Sequence, residues 1–208
     1  MTTQELVADE TFAVPAGVER LRRAAAALAD RNLTPHIVDT VADARHLVRE
    51  LLPRDKEIFT ANGETLRLSG IAEDVNGSGE FRSVRKGLPD LAHDFQAQIR
   101  AGAAPDVVVG SVHAVTEDGL MLAASASGSQ LASYAAGAGQ AIWVVGSQKV
   151  VPDLDTALRR IRTYSLPREY ERIRPQGFAS FIGKILIIER EAFPGRGTVV
   201  LVREPIGF

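Results

Sequence analysis

The residues best suited to chemistry lie between Gly110 and Lys149, in GSVHAVTEDGLMLAASASGSQLASYAAGAG and, one strand later, VVGSQK. Glu117 is the candidate catalytic group, because a carboxylate beside an anion-binding loop can attack an acyl carbon or accept a proton as general base. The same residue, followed by Asp118 and Gly119, also suits a solvated hairpin turn. Ser127, Gly128, Ser129 and Gln130 make a second feature. Glycine permits close backbone approach, while serine hydroxyls can donate to an anion or cap the next helix, and the residue types fit both uses. Lys149 could clamp a phosphate or carboxylate, or simply carry the strand out into solvent. Gly110, Ser111, Gly119 and Gly146 join the substrate-binding set as small residues at strand ends and turns. His113 joins it because imidazole titrates near neutrality, although a lone histidine in a strand is more often structural.

Other chemistries are excluded by what the chain lacks. With no cysteine it offers no disulfide, thiolate nucleophile or cysteinyl metal site, so redox work would need a partner or a bound cofactor, and none is expected in this chain. The remaining histidines, His36, His46 and His93, make no HExxH-type spacing, and no metal site is expected. Neither a Walker loop nor a GxGxxG fingerprint is present. The 24 basic and 26 acidic side chains leave a net charge of -2, too little field to hold nucleic acid. No apolar run approaches the roughly 20 residues that span a bilayer, and MTTQELVADETFAVPAG lacks a signal peptide's basic and apolar regions, so the expected location is the cytoplasm.

These residues need a scaffold, and helix and strand signals alternate along the chain as in an α/β protein with a parallel sheet. Residues 1–15 read as a flexible tail and 16–208 as one continuous domain. Val18, Leu21, Ala25 and Leu28 mark a helix, followed by the strand PHIVD; Val41, Ala44, Leu47 and Leu51 mark a second, followed by EIFTA. A short helix from Glu64 gives way to an expected surface loop around NGSGEF, and a further helix spans about Asp90 to Gly102, with Leu91, Phe95 and Ile99 on one face. PDVVVGS and QAIWVVG read as buried strands, and Glu117-Asp118-Gly119 as the turn between VHAVT and LMLAASA. A helix from about Asp153 to Tyr164 turns Leu154, Leu158 and Ile161 inward. Its Arg159, Arg160 and Arg162 either extend a basic wall beside Lys149 or form a solvated face. GKILIIER and GTVVLVRE are expected to close the chain as a β-hairpin on the sheet edge.

TANGETLRLSGI, the long block from PDVVVGS to REYERI, and KILIIEREAFPGRGTVVLVREPIGF resemble the LUD domain, the family of the lactate-utilisation protein C. With the helical lead-in they cover most of the chain. The resemblance implies a three-layer α/β sandwich with a mostly parallel sheet, similar to the sugar-phosphate isomerase and CoA-transferase superfamily. CoA transferases of that superfamily attack acyl-CoA with a glutamate near a strand end, so the resemblance makes Glu117, in TEDG, the residue to test. Members tied to lactate utilisation resemble accessory proteins that work with iron-sulfur subunits, and many related chains carry cysteines that this one lacks. Two functions are therefore expected to compete. One is binding of a small anionic metabolite of organic-acid utilisation near Gly110, Glu117, Gly128 and Lys149, with transferase- or isomerase-like chemistry. The other is a non-catalytic accessory role to an iron-sulfur or flavin oxidoreductase; a homodimer also suits this fold.

Overall fold

The computed structural model of the chain describes residues 6–88 and 94–208. Its frame is a six-stranded sheet of β1 (Leu33–Val38), β2 (Glu57–Thr60), β3 (Arg82–Ser83), β4 (Val107–Gly110), β7 (Gln140–Gly146) and β10 (Gly197–Val202), in the order β1-β10-β7-β4-β2-β3. Every pairing in it is parallel. The uninterrupted apolar runs of the central strands follow from this, because a parallel sheet is covered on both faces and both sides of each strand must be greasy. Alternate residues divide accordingly. Val107, Val109, Ile142, Val144, Val200 and Val202 face α2 (Val41–Leu51), α3 (Glu64–Leu68) and α4 (Ile71–Gly77). Val108, Trp143, Val145, Val199 and Leu201 face the other way, toward α1 (Val18–Asp30) and a second sheet.

That second sheet has four strands, β8 (Val150–Val151), β5 (Ala114–Thr116), β6 (Met121–Ser125) and β9 (Lys184–Ile188), in that order. Its inner residues Val115, Met121 and Ala123 complete the shared core with α1. Its outer residues Ala114, Leu122 and Val151 are covered by Ala157, Ile161 and Tyr164 of a long helix. The α/β sandwich with a mostly parallel sheet thus takes the expected form, and the anticipated helices α1 and α2 fall where the periodicity put them. Thr40 and Asp43 cap α2 reciprocally, each side chain accepting from the other's backbone N–H at 3.1 and 3.0 Å.

Three expectations need correction, and a fourth extends beyond the described residues. GKILIIER and GTVVLVRE do form strands, but they make no hairpin with each other: β9 pairs antiparallel with β6, and β10 is inserted between β1 and β7. The apolar run of β10, with Val199 to Val202 all buried, needs cover on both faces, which an edge hairpin cannot provide. The NGSGEF segment is only partly a loop. It begins as the last turn of α4, which Ile71 and Val75 anchor in the core, and ends at buried Phe81. Of the helix expected over about 90–102, α5 (Phe95–Ala101) is seen, while Leu91 and His93 lie outside the described residues. Finally, within the segment expected to be a flexible tail, a 3-10 turn at Glu10–Ala13 buries Phe12.

The long helix explains that last point. It runs as α6 (Leu154–Arg160), a π turn (Ile161–Ser165) and α7 (Leu166–Ile173). Pro167 has no N–H to offer the carbonyl four residues back, Thr163, and that carbonyl accepts from Asp9 N–H at 2.8 Å instead. The break is accommodated by a wider turn, closed by Leu166 N–H to Ile161 O. A second π turn, Ser133–Gly137, precedes β7.

Candidate functional site

The chain passes from the large sheet to the small one in two adjacent places, and both crossings occur at the carboxyl ends of parallel strands. One runs from β4 through Ser111 and His113 into β5; the other runs from β7 through the 3-10 turn Ser147–Lys149 into β8. β4 lies beside β7, and β5 beside β8, so the two crossings form a seam. In open α/β sheets this is where ligands collect. A cavity of about 240 Å³ opens there, lined among others by Asn62, Thr65, Ser111, His113, Ser127, Ser129, Gln130, Tyr134, Lys149, Ser165 and Glu169. Its size suits a small metabolite rather than a nucleotide.

Lys149 is the central group. It is 1 % exposed, and its Nζ donates to Thr65 Oγ1 at 2.8 Å and Ser111 Oγ at 3.0 Å. Arg160, 0 % exposed, lies close enough for the two positive charges to repel. Arg160 donates through Nε to Gln148 O at 3.2 Å, and through Nη1 to Ser165 Oγ at 3.0 Å and to His113 O. Its Nη2 is buried with no partner. Among the described residues, neither cation has a carboxylate partner; their hydrogen bonds go to hydroxyls and carbonyls. Burial pushes the Lys149 amine well below its ordinary value, and Arg160 adds to the effect. Burial also pushes the Arg160 guanidinium down to about 10.

His113 is half-buried at the cavity wall. Its Nδ1 accepts from Ala124 N–H at 3.0 Å, so the neutral ring carries its proton on Nε2 and offers a donor to a ligand. Burial, then the charges of Lys149 and Arg160, push this imidazole down to about 3, which makes it a neutral donor at physiological pH and not a base. Tyr134, from the Ser133–Gly137 π turn, holds the β4 crossing in place: its hydroxyl accepts from Ser111 N–H at 3.0 Å and donates to Ser111 O at 3.1 Å. Gly110 is required beneath it, since a Cβ there would collide with that hydroxyl. Ser127 Oγ accepts from Ser129 N–H at 3.3 Å, leaving the Ser127 proton for a ligand, while Gln130 Oε1 accepts from Ser125 and Ser129.

The structure therefore brings together Ser111, His113, Ser127, Ser129, Gln130 and Lys149 from the anticipated set. Gly110 and Gly146 stay beneath the seam as packing positions, and Gly128 makes the left-handed turn between the two serines, with φ 88°. Glu117 is not part of the site, and neither is Gly119. In the β5–β6 hairpin, His113 and Ser125 occupy the open end at the cavity, and the Glu117 turn occupies the opposite end. At about 3.3 Å per residue the two ends are roughly 13 Å apart. There both Glu117 carboxylate oxygens are taken, by Arg20 Nε at 2.5 Å and Arg23 Nη2 at 2.7 Å. Burial raises that carboxyl, but the hydrogen bonds from Arg23 and Arg20 outweigh it and hold it below the ordinary carboxylate range. A carboxylate so engaged is a poor nucleophile and a weak base.

Sequence reasoning missed Thr65 and Tyr134, and of the three arginines expected either to extend a basic wall beside Lys149 or to form a solvated face, Arg160 is the one buried next to Lys149. Arg160 had a readable signal: it lies three residues after Ala157 and four before Tyr164, both on the buried face. Thr65 had none, because it reaches Lys149 across 84 residues of chain. Two further carboxylates line the cavity, but each is neutralised. Glu64 pairs with Arg67 at 2.7 Å, and Glu169 with Arg172 at 2.6 Å.

The fold is similar to the crystal structure, at 1.70 Å resolution, of a DUF162 family protein from Deinococcus radiodurans, with a TM-score of 0.57 and 11% identity over 90% of this chain and 99% of that one. No curated protein matches this chain. The LUD domain profile matches residues 21–202, from α1 to the end of β10, and so spans both sheets and both crossings: the chain belongs to the LUD domain family.

Proposed function

We propose that this protein binds a small carboxylate metabolite, of the 2-hydroxy or 2-oxo acid class, in the cavity at the seam between its sheets. The observation that carries this reading is the pair of buried cations, Lys149 and Arg160, with no carboxylate to balance them among the described residues. Leaving buried charge unbalanced is costly, and the arrangement is stable only if the lysine is neutral or an anion enters. The uncharged donors on the wall, His113 Nε2–H and the Ser127 hydroxyl, suit carboxylate oxygens. The small volume argues against the CoA moiety of a thioester entering whole. Organic-acid utilisation, the theme the family resemblance suggested, is compatible with such a ligand.

Thermal unfolding against lactate, pyruvate, related acids, sugar phosphates and CoA thioesters tests the reading. A bound acid at about 100 times its dissociation constant should add about 2.7 kcal/mol, or about 5 to 10 °C for a protein of this size. The shift should vanish in Lys149→Met and persist in Glu117→Gln, whose carboxylate lies outside the cavity. Equal shifts in wild type and Lys149→Met would overturn the assignment of the site. No shift with any compound would favour the accessory-subunit reading, and stoichiometric capture of an iron-sulfur or flavin oxidoreductase would then be the test.

A further inference from the structure

We propose that Lys149 is a covalent amine nucleophile that forms an imine with the carbonyl of a 2-oxo acid. The inference rests on the carboxylate-binding reading above and goes beyond it, because binding alone needs only a cation, whereas this step needs a free amine and a carbonyl. The geometry supplies what that chemistry requires. Nζ is at the cavity, shielded from bulk water, with no carboxylate to keep it protonated among the described residues and with buried Arg160 nearby to disfavour its charge. Desolvation next to a second cation is a recognised way of activating a lysine. The two groups that touch Nζ are hydroxyls, Thr65 and Ser111, which can accept and donate a proton in turn.

One proton from solvent is the only further reactant needed. The Nζ lone pair attacks C2, forming a C–N bond, and the carbonyl π pair moves to oxygen. That oxygen takes up the proton released by nitrogen, relayed through Thr65 or Ser111, to give a carbinolamine. A second proton converts the hydroxyl to a leaving water; the C–O bond breaks, and the nitrogen lone pair closes the C=N bond. Amine, ketone and one proton thus become a protonated imine and water. The neutral His113 Nε2–H and the Ser127 hydroxyl would hold the carboxylate while this happens. A 2-hydroxy acid has no carbonyl and would bind without forming the adduct.

The test is reductive trapping. Wild-type protein is incubated with pyruvate and sodium cyanoborohydride, and the modified lysine is located by peptide mass spectrometry. The proposal expects one carboxyethyl group per chain on Lys149, suppressed by excess lactate, and trapped more slowly in Thr65→Val and Ser111→Ala. Lys149→Met should give no adduct at that position and none in its place. If pyruvate stabilises the fold but trapping leaves Lys149 unmodified, the imine is overturned while the binding reading stands. If pyruvate neither stabilises nor traps, the imine is overturned, and if lactate and the related acids also give no shift the binding reading fails with it. Labelling spread over exposed lysines at the rate seen in denatured protein would also sink the proposal.

Discussion

Lys149 is a side chain whose environment opposes its charge, and that has a measurable signature. Because its folded pKa lies below the unfolded value near 10.5, the unfolded chain holds more protons in the interval between the two. Within that interval stability must therefore rise with pH, at up to about 1.4 kcal/mol per unit. Lys149→Met removes this contribution. The difference in unfolding free energy, wild type minus variant, should climb in favour of wild type as the pH rises toward 10.5; a flat difference would mean that the lysine stays charged in the fold. At neutral pH the variant should be at least as stable as wild type, because a methionine of similar length meets no desolvation cost there. The sequence hinted at this residue, since VVGSQKVV sets one lysine between two apolar runs. It gave no hint that the lysine's partners would be hydroxyls. Glu117 sits apart from the seam for a reason the sequence did contain: a hairpin's turn lies at the opposite end from its strands' entry and exit, so the turn of this hairpin is remote from His113.

Among the elements, the two π turns carry the site. One presents Tyr134 to the β4 crossing, and the other sets Arg160 beside Ser165, a pair five residues apart that hydrogen-bonds at 3.0 Å. A regular α-helix aligns residues three and four apart, so this pairing belongs to the widened turn. Deleting exposed Arg162 should restore a regular turn and rotate everything beyond it by about 100°. We expect circular dichroism to show the helix retained, with the ligand-induced thermal shift lost. Survival of that shift would mean that the register of α7 does not matter to the site. Helical periodicity made α6 legible from its sequence, and the proline at 167 signalled a break, but the partner that takes up the freed Thr163 carbonyl, Asp9 N–H, is a tertiary contact that no local pattern records.

On the scale of the whole molecule, the uninterrupted apolar runs of β4, β7 and β10 were enough to announce a doubly covered parallel sheet. The strand order was not legible, because short connections between neighbouring strands usually make hairpins and β9–β10 does not. GTVVLV is buried at every position but Thr198 and lies inside its sheet, whereas the half-exposed KILII lies at the edge of the other. Leu201, 0 % exposed between β1 and β7, tests that placement: Leu201→Ala should lower stability by about 2 to 5 kcal/mol. Unfolding followed by the fluorescence of Trp143, the single tryptophan, and by circular dichroism should remain coincident, since both sheets share one core. Separate transitions would show that the small sheet stands alone.

The central position of β10 also governs how the protein comes into being on the ribosome. β1 and β7 are both complete long before residue 202 is translated, yet neither can take its final neighbour until then. At about 5 to 20 residues per second, the nascent chain carries open strand edges for several seconds. Such edges invite pairing with other chains, so molecular chaperones should engage this protein during synthesis more than its modest size suggests.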